Sequence, residues 1–249
     1  MPRYKITIEY DGTDYVGWQR QDNGPSVQAH LEDAAASIIG NRQAVLVQGA
    51  GRTDAGVHAT GQVAHFDLPS PFDTNKLPLA FNAHLPADIR VLSADAVSDE
   101  FHARFGAIGR AYEYRILARR VNSALNHARV WHVPQILDVK AMNNAAERLI
   151  GQHDFTSFRA THCQALSPVK TIDHLSIVDN EHGIALIAKA RSFLHHQIRN
   201  ITGTLVQVGL GKWTPDDVSV ALAACDRSAA GPTAPAHGLY LTEVRYPDD

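Results

Sequence analysis

Arg3-Tyr4-Lys5-Ile6-Thr7-Ile8-Glu9-Tyr10-Asp11 opens the chain with strict alternation. Tyr4, Ile6, Ile8 and Tyr10 fall on one face and Lys5, Thr7 and Glu9 on the other, the period of a half-buried strand. Asp11-Gly12-Thr13-Asp14 breaks it. Ser26 then has the chemistry of an N-cap. Val27, Leu31, Ala34, Ala35, Ile38 and Ile39 follow at helical spacing before Gly40 stops the helix. Residues 44–47 read as a strand leading into a glycine-rich turn, and 62–68 as another. Residues 75–84 predict a helix with Leu77, Phe81 and Leu85 on one side and Pro78 in its first turn. A strand over 90–97 completes the order β-α-β-β-α-β.

The second half repeats the order with one extra helix. Residues 110–117 read as a strand with Tyr112, Tyr114 and Ile116 on one face. Asp138 caps a helix running to Ile150, with Gly151 after it. Strands over 172–178 and 184–191 are joined through 180–183. Residues 193–208 predict a strong helix, because Leu194, Ile198, Ile201, Leu205 and Val208 step by helical intervals. Thr214-Pro215 opens a short helix to Ala224, and 238–246 is the closing strand. Two successive split βαβ arrangements predict an α+β protein of two ferredoxin-like subdomains, 1–105 and 106–249. No flexible linker marks the join near 98–109, so the halves are expected to share one continuous, mixed and mostly antiparallel sheet.

The 249 residues allow one large domain or two small ones. With 45% hydrophobic and 20% charged residues, the composition is that of a globular protein and argues against disorder. No run of about 18 apolar residues occurs, so no membrane span is expected. The N-terminus passes into the first strand without an apolar secretory segment. The two cysteines, Cys163 and Cys225, form no CxxC pair, and a reducing cytoplasm is the expected compartment. The net charge of −3 disfavours a surface that binds nucleic acid everywhere, but charge is segregated along the chain. Between His102 and His132, Arg104, Arg110, Arg115, Arg119, Arg120 and Arg129 face one acid, Glu113. Between Leu186 and Trp213, Lys189, Arg191, Arg199 and Lys212 face none. Acids collect at 95–100 and at Asp248-Asp249. A basic cleft on an acidic body fits this pattern.

The most unusual stretch is Gln48-Gly49-Ala50-Gly51-Arg52-Thr53-Asp54-Ala55-Gly56-Val57-His58-Ala59-Thr60-Gly61-Gln62. Four glycines between two strands allow backbone shapes and close approaches that other residues forbid. Asp54 stands where a dinucleotide fingerprint needs its third glycine, and no Gly-Lys-[Ser/Thr] follows as in a phosphate-binding Walker loop. The chain has no GxSxG elbow and no HExxH pair. His195 and His196 are adjacent and so cannot share a helix face as metal ligands. What remains is one carboxylate, Asp54, beside Arg52. A nearby cation favours its ionised form, which can serve as a nucleophile or a base.

Gly51-Arg52-Thr53-Asp54-Ala55-Gly56-Val57-His58-Ala59 closely resembles the catalytic motif of the TruA-type tRNA pseudouridine synthase family. The resemblance extends through Tyr10-Asp11-Gly12-Thr13, Gly17-Trp18-Gln19-Arg20-Gln21, Phe101-His102-Ala103-Arg104-Phe105 and Arg110-Ala111-Tyr112-Glu113-Tyr114-Arg115. It continues in His153-Asp154-Phe155-Thr156-Ser157-Phe158 and Phe193-Leu194-His195-His196-Gln197-Ile198-Arg199-Asn200. It ends in Ala234-Pro235-Ala236-His237-Gly238-Leu239-Tyr240-Leu241. One departure is visible: members often carry another residue and a methionine where this chain has His196-Gln197.

The resemblance implies the pseudouridine synthase fold, with an active-site cleft between the subdomains. It implies isomerisation of uridine to pseudouridine at positions 38, 39 and 40 of the tRNA anticodon arm, with no cofactor and no metal. Asp54 would be the essential carboxylate, acting as nucleophile, although proton removal by the same group stays open. Arg199 would pair with Asp54 and aim it, with His195 four residues away on the same helix face. Tyr112 would stack on the flipped uracil or hydrogen-bond to it. Arg52 would fill the space left by the base or contact a phosphate. The two basic segments would hold the tRNA backbone, and a homodimer would hold one tRNA jointly. Two other classes compete: a non-catalytic RNA-binding protein of the same fold, which has no need of Asp54, and a histidine-rich metallohydrolase.

Overall fold

The computed structural model describes residues 1–40, 43–161, 163–181 and 183–247. The chain is mixed α+β, and its strands pair mostly antiparallel. It divides into two compact units, Met1–Ile108 with Tyr240–Asp249, and Gly109–Leu239. The expected division at 105/106 left the last strand in the second half. That strand, β10 (Leu239–Arg245), instead pairs in parallel with β3 of the first unit, Tyr240 against His58 and Leu241 against Ala59. Among the described residues no helix is long and apolar enough to cross a membrane. Asp248 and Asp249 of the acidic C-terminus lie outside the described residues, as does residue 182 of the expected turn over 180–183.

The first unit contains β1 (Arg3–Tyr10), α1 (Val27–Ile38), β2 (Gln48–Gly49), β3 (His58–Asp67), α2 (Leu77–Asn82) and β4 (Ile89–Val97). β1 runs antiparallel to both β3 and β4, and β2 pairs with β3. This strand order, 4-1-3-2, is that of a split βαβ arrangement. The alternation of β1 does what its sequence demands: Tyr4, Ile6, Ile8 and Tyr10 are all buried. Tyr4 stacks on Phe66 of β3, and Phe66 meets Phe81 of α2 edge-on. Ser26 caps α1 by accepting from Ala29 N.

The strand expected over 44–47 does not form. The backbone of Val47 is engaged by α1 side chains: Gln28 Nε2 donates to its carbonyl at 2.9 Å, and its N–H donates to Glu32 Oε1 at 3.3 Å. Ladder pairing is confined to the two residues of β2. β3 begins four residues earlier than its alternation suggests, because Ala59 pairs with Tyr10 and with β10.

His65 of β3 is buried, with Nδ1 accepting from Ala103 N at 3.2 Å. Burial, reinforced by His102 and Arg3, pushes its pKa from 6.5 down to about 4. The unfolded chain therefore takes up this proton first as pH falls. The contribution of neutral His65 is complete above about pH 6.5 and is lost as pH falls toward about 4. Melting temperature should decline over that window, and His65→Gln should flatten the decline. An unchanged slope in the variant would remove His65 as its cause.

The second unit contains β5 (Gly109–Ala118), β6 (Trp131–Val133), α3 (Val139–Ala146), β7 (Gly151–Asp154), β8 (Val169–Asn180), β9 (Gly183–Ala190), α4 (Gln197–Gly209) and α5 (Pro215–Ala223). Strands run in the order β5-β9-β8-β7, all antiparallel, with β6 parallel to β5. Asp138 caps α3, and Thr214 and Asp217 form a capping box at α5. α3 packs on β8 and on α4 and α5. α4 is buried along most of its length, because Ile198, Ile201, Leu205 and Val208 form one apolar stripe.

α4 starts at Gln197, four residues later than expected. His196 takes a left-handed conformation (φ 62°) that breaks the helical path. The Gln197 side chain reaches back to accept from Leu194 N at 2.8 Å, closing the turn from within the helix. His195 consequently lies outside α4. The expected helix face shared by His195 and Arg199 does not exist.

Candidate active site

Asp54 is half-buried in the loop between β2 and β3, and the backbone around it is held from several directions. Trp18 N donates to Thr53 O at 3.1 Å, and Val57 N donates to Asp54 O at 3.1 Å. Thr53 is buried, and its Oγ1 lies 2.8 Å from the hydroxyl of Tyr10. Gln62 Nε2 donates to Gly51 O at 2.9 Å, tying the start of the loop to β3. Gly17 has φ +107°, and a Cβ there would overlap the Thr53 carbonyl oxygen and lie 3.1 Å from the carbonyl carbon of Asp54. The segment 17–19 is thus the floor on which the carboxylate's peptide rests. Fixing the peptide in this way limits the positions open to the side chain it carries.

Arg52 is exposed, and its Nε donates to Gln19 Oε1 at 3.1 Å. Gln19 is itself held, its Nε2 donating to Gln28 Oε1 at 2.6 Å. Among the described residues Arg52 makes no ion pair with Asp54, although the two are near in sequence. The loop presents Arg52 outward from a neutral bracket, where its full charge is retained.

Tyr112, His195 and Arg199 all lie in the second unit. Tyr112 on β5 is half-buried, and its ring meets Phe193 edge-on at 5.3 Å. Its strand neighbours Tyr114 and Ile116 are buried, so the face expected from alternation dips into the core from Tyr112 onward. Arg199 leaves the first turn of α4, and its Nε donates to Ala234 O at 2.8 Å. Ala234 N returns a bond to Arg199 O at 3.1 Å. Tyr114 donates its hydroxyl to the adjacent Pro235 O at 2.7 Å. Burial raises the Tyr114 pKa far above that of a free tyrosine, and the Arg199 charge works against the rise. Burial also lowers the pKa of His237, and Arg199 adds to that effect. Arg199 is therefore braced between α4 and the 234–238 segment. His195 is exposed, and its carbonyl accepts from Ala160 N at 2.9 Å.

Sequence reading gave no individual role to Tyr10, Gly17, Gln19 or Thr53. All four support the Asp54 loop, and three lie inside recognised blocks at 10–13 and 17–21, where block membership was the available signal. The departure at Gln197 also has a structural meaning, since this side chain closes the α4 turn. Its Nε2 is the buried side-chain polar atom left without a partner among the described residues.

A rigid glycine loop bearing one carboxylate, within an α+β protein of paired split βαβ character, defines a class that comparison with known proteins makes specific. The family model described as tRNA pseudouridine synthase matches residues 6–106 and 145–247, and the chain belongs to that family. Curated relatives carry the name tRNA pseudouridine synthase A. One from Rhodopseudomonas palustris (strain HaA2) is 58% identical over 247 residues, covering 99% of this chain and 100% of its own length. One from Rhodospirillum centenum is 57% identical with the same coverage, and one from Sinorhizobium fredii is 54% identical over 249 residues.

Proposed function

We propose that this chain isomerises uridine to pseudouridine in tRNA, at positions 38, 39 and 40 of the anticodon arm, with Asp54 as its essential carboxylate. The observation that carries the site is the Asp54 loop, whose backbone is fixed by Trp18, Val57 and the Tyr10–Thr53 contact. The reaction breaks the N1–C1′ bond, turns the base and forms a C5–C1′ bond. The C5 hydrogen leaves as a proton and N1 gains one. Atoms and electrons balance within the substrate, so the scheme needs no redox partner.

Asp54 acts on the ribose or on the base, as nucleophile or as proton acceptor. Arg199, braced by Ala234, pairs with Asp54 in this reading and keeps it ionised. The target base must leave its stack, which costs a few kcal/mol in a stem and less in a loop. Tyr112 returns part of that cost by stacking, worth about 1–3 kcal/mol per base. Arg52 enters the space that the base vacates or meets a phosphate, and His195 lines the substrate path. Arg119 of the 102–132 segment, whose Nε donates to Val121 O, keeps its charge for a phosphate. A homodimer holding one tRNA, and a cytoplasmic location, complete the proposal.

Tritium placed at C5 of uridine in an unmodified tRNA tests the reaction, because that hydrogen must be released to water. Release by the wild-type chain is expected, and its absence would overturn the reading. Arg199→Lys should lower release roughly ten- to hundredfold despite the conserved charge, because the planar fork is lost. Wild-type kinetics in that variant would remove Arg199 from the site.

A further inference from the structure

We infer that the second unit carries a phosphate pocket centred on Arg227, which takes a backbone phosphodiester of the RNA substrate; the inference rests on the tRNA reading above. A cavity of about 350 Å³ is lined by Thr161, His195, His196, Asn200, Arg227 and Thr233. Among the described residues no acidic side chain lines it, and its only rings are the two imidazoles.

Arg227 is the positioned cation of this cavity. Its Nη2 donates to Asn200 Oδ1 at 3.2 Å and to Thr233 Oγ1 at 3.0 Å, and Nη1 reaches Ala230 O at 3.4 Å. All three acceptors are neutral. Four arginines of the chain pair with carboxylates instead: Arg3 with Asp67, Arg20 with Glu32 and Asp33, Arg115 with Glu113, and Arg148 with Asp216. Arg227 has no such partner among the described residues. Its sequence neighbour Asp226 commits its carboxylate to Ser228, accepting from the backbone N–H at 2.9 Å and from the hydroxyl at 2.7 Å. The guanidinium thus keeps its net charge and its Nε donor.

The frame that aims Arg227 is buried and stiff. Asn200 is fully buried. Its Nδ2 donates to Phe158 O at 2.9 Å, and its Oδ1 also accepts from Thr233 Oγ1 at 2.6 Å. The 231–234 segment is pressed onto α4, where a Cβ at Gly203 would overlap the Pro232 carbonyl oxygen. Gly231 N donates to Thr204 Oγ1 at 2.9 Å. An arginine fixed by a buried neutral amide, with no carboxylate partner among the described residues and lining this cavity, is suited to a charge-assisted bond with a phosphate.

The test uses the full chain and an unmodified tRNA transcript, with Kd followed across a salt titration and C5 tritium release followed on the same RNA. Arg227→Gln should raise Kd and KM about tenfold with kcat within about twofold. It should also reduce the slope of log K against log salt by about 0.7–0.9, the loss of one phosphate contact. Thr161→Glu changes an exposed rim position that has no side-chain hydrogen bond among the described residues. It places a carboxylate at the cavity and should weaken binding at least as much. Wild-type Kd and salt slope in Arg227→Gln would overturn the inference, as would a fall in kcat with KM and slope unchanged. Should Arg227→Gln fail to fold, Thr161→Glu decides, and wild-type binding by it refutes the pocket. Absence of tritium release by the wild-type chain would instead count against the proposed reaction, so the two failures are told apart.

Discussion

Asp54→Asn is expected to lower pseudouridine formation by about 10⁴-fold, the upper end of what a positioned proton-transfer group supplies. The loss should be larger where the carboxylate itself attacks. The amide keeps the shape of the side chain and removes only its charge and basicity. The loop's backbone is held by contacts that do not use that charge: Trp18 N to Thr53 O, Val57 N to Asp54 O and Thr53 to Tyr10 are backbone or hydroxyl contacts. Folding should therefore survive, and tRNA affinity should stay within about tenfold, or about 1.4 kcal/mol. Tritium release and a binding isotherm on the same preparation check both halves. Turnover comparable to wild type would remove Asp54 from the chemistry.

Gly17→Ala should cost about 10²-fold in kcat without touching any group that reacts. The backbone at Gly17 lies at φ +107°, where a side chain costs about 1–3 kcal/mol. The added methyl also collides with the Thr53 carbonyl beside the Trp18–Thr53 bond, so the strain is passed directly to the peptide of Asp54. A displacement of about 1 Å in a reacting group is enough for a hundredfold loss. Gly51→Ala is the matched control. It lies in the same loop with open space where its Cβ would go, and it should behave as wild type. Steady-state kinetics and thermal melts of the two variants measure the contrast. Equal kcat in Gly17→Ala and wild type would show that segment 17–19 does not position the carboxylate.

Much of the fold is legible because local and tertiary preferences agree. β1 alternates cleanly, Ser26, Asp138 and Thr214 cap helices that begin at the next residue, and β8 and β9 appear where their apolar runs fall. Departures occur where a tertiary partner decides. Residues 44–47 have strand character, yet Gln28 and Glu32 of α1 take the Val47 backbone groups. The apolar stripe of α4 continues back to Leu194, but the left-handed His196 stops the helix short of it. β6 and β7 hold three and four residues, too few to display a period. The parallel pairing of β10 with β3 joins segments far apart in sequence, and no local pattern encodes it.

The site divides in the same way. Asp54 stands out through the glycines around it. The bracing of Arg52 by Gln19 and of Arg199 by Ala234 arises only when distant segments meet. Spacing puts His195 on a helix, whereas the turn at His196 moves it into the preceding loop.

The most direct measurement is positional mapping of pseudouridine in an unmodified tRNA carrying uridines at 38, 39 and 40, after incubation with the wild-type chain and, in parallel, with Asp54→Asn. The account predicts pseudouridine at those positions with the wild-type chain and none with the variant. Modification elsewhere in the tRNA, none at all, or equal modification by both proteins would contradict it.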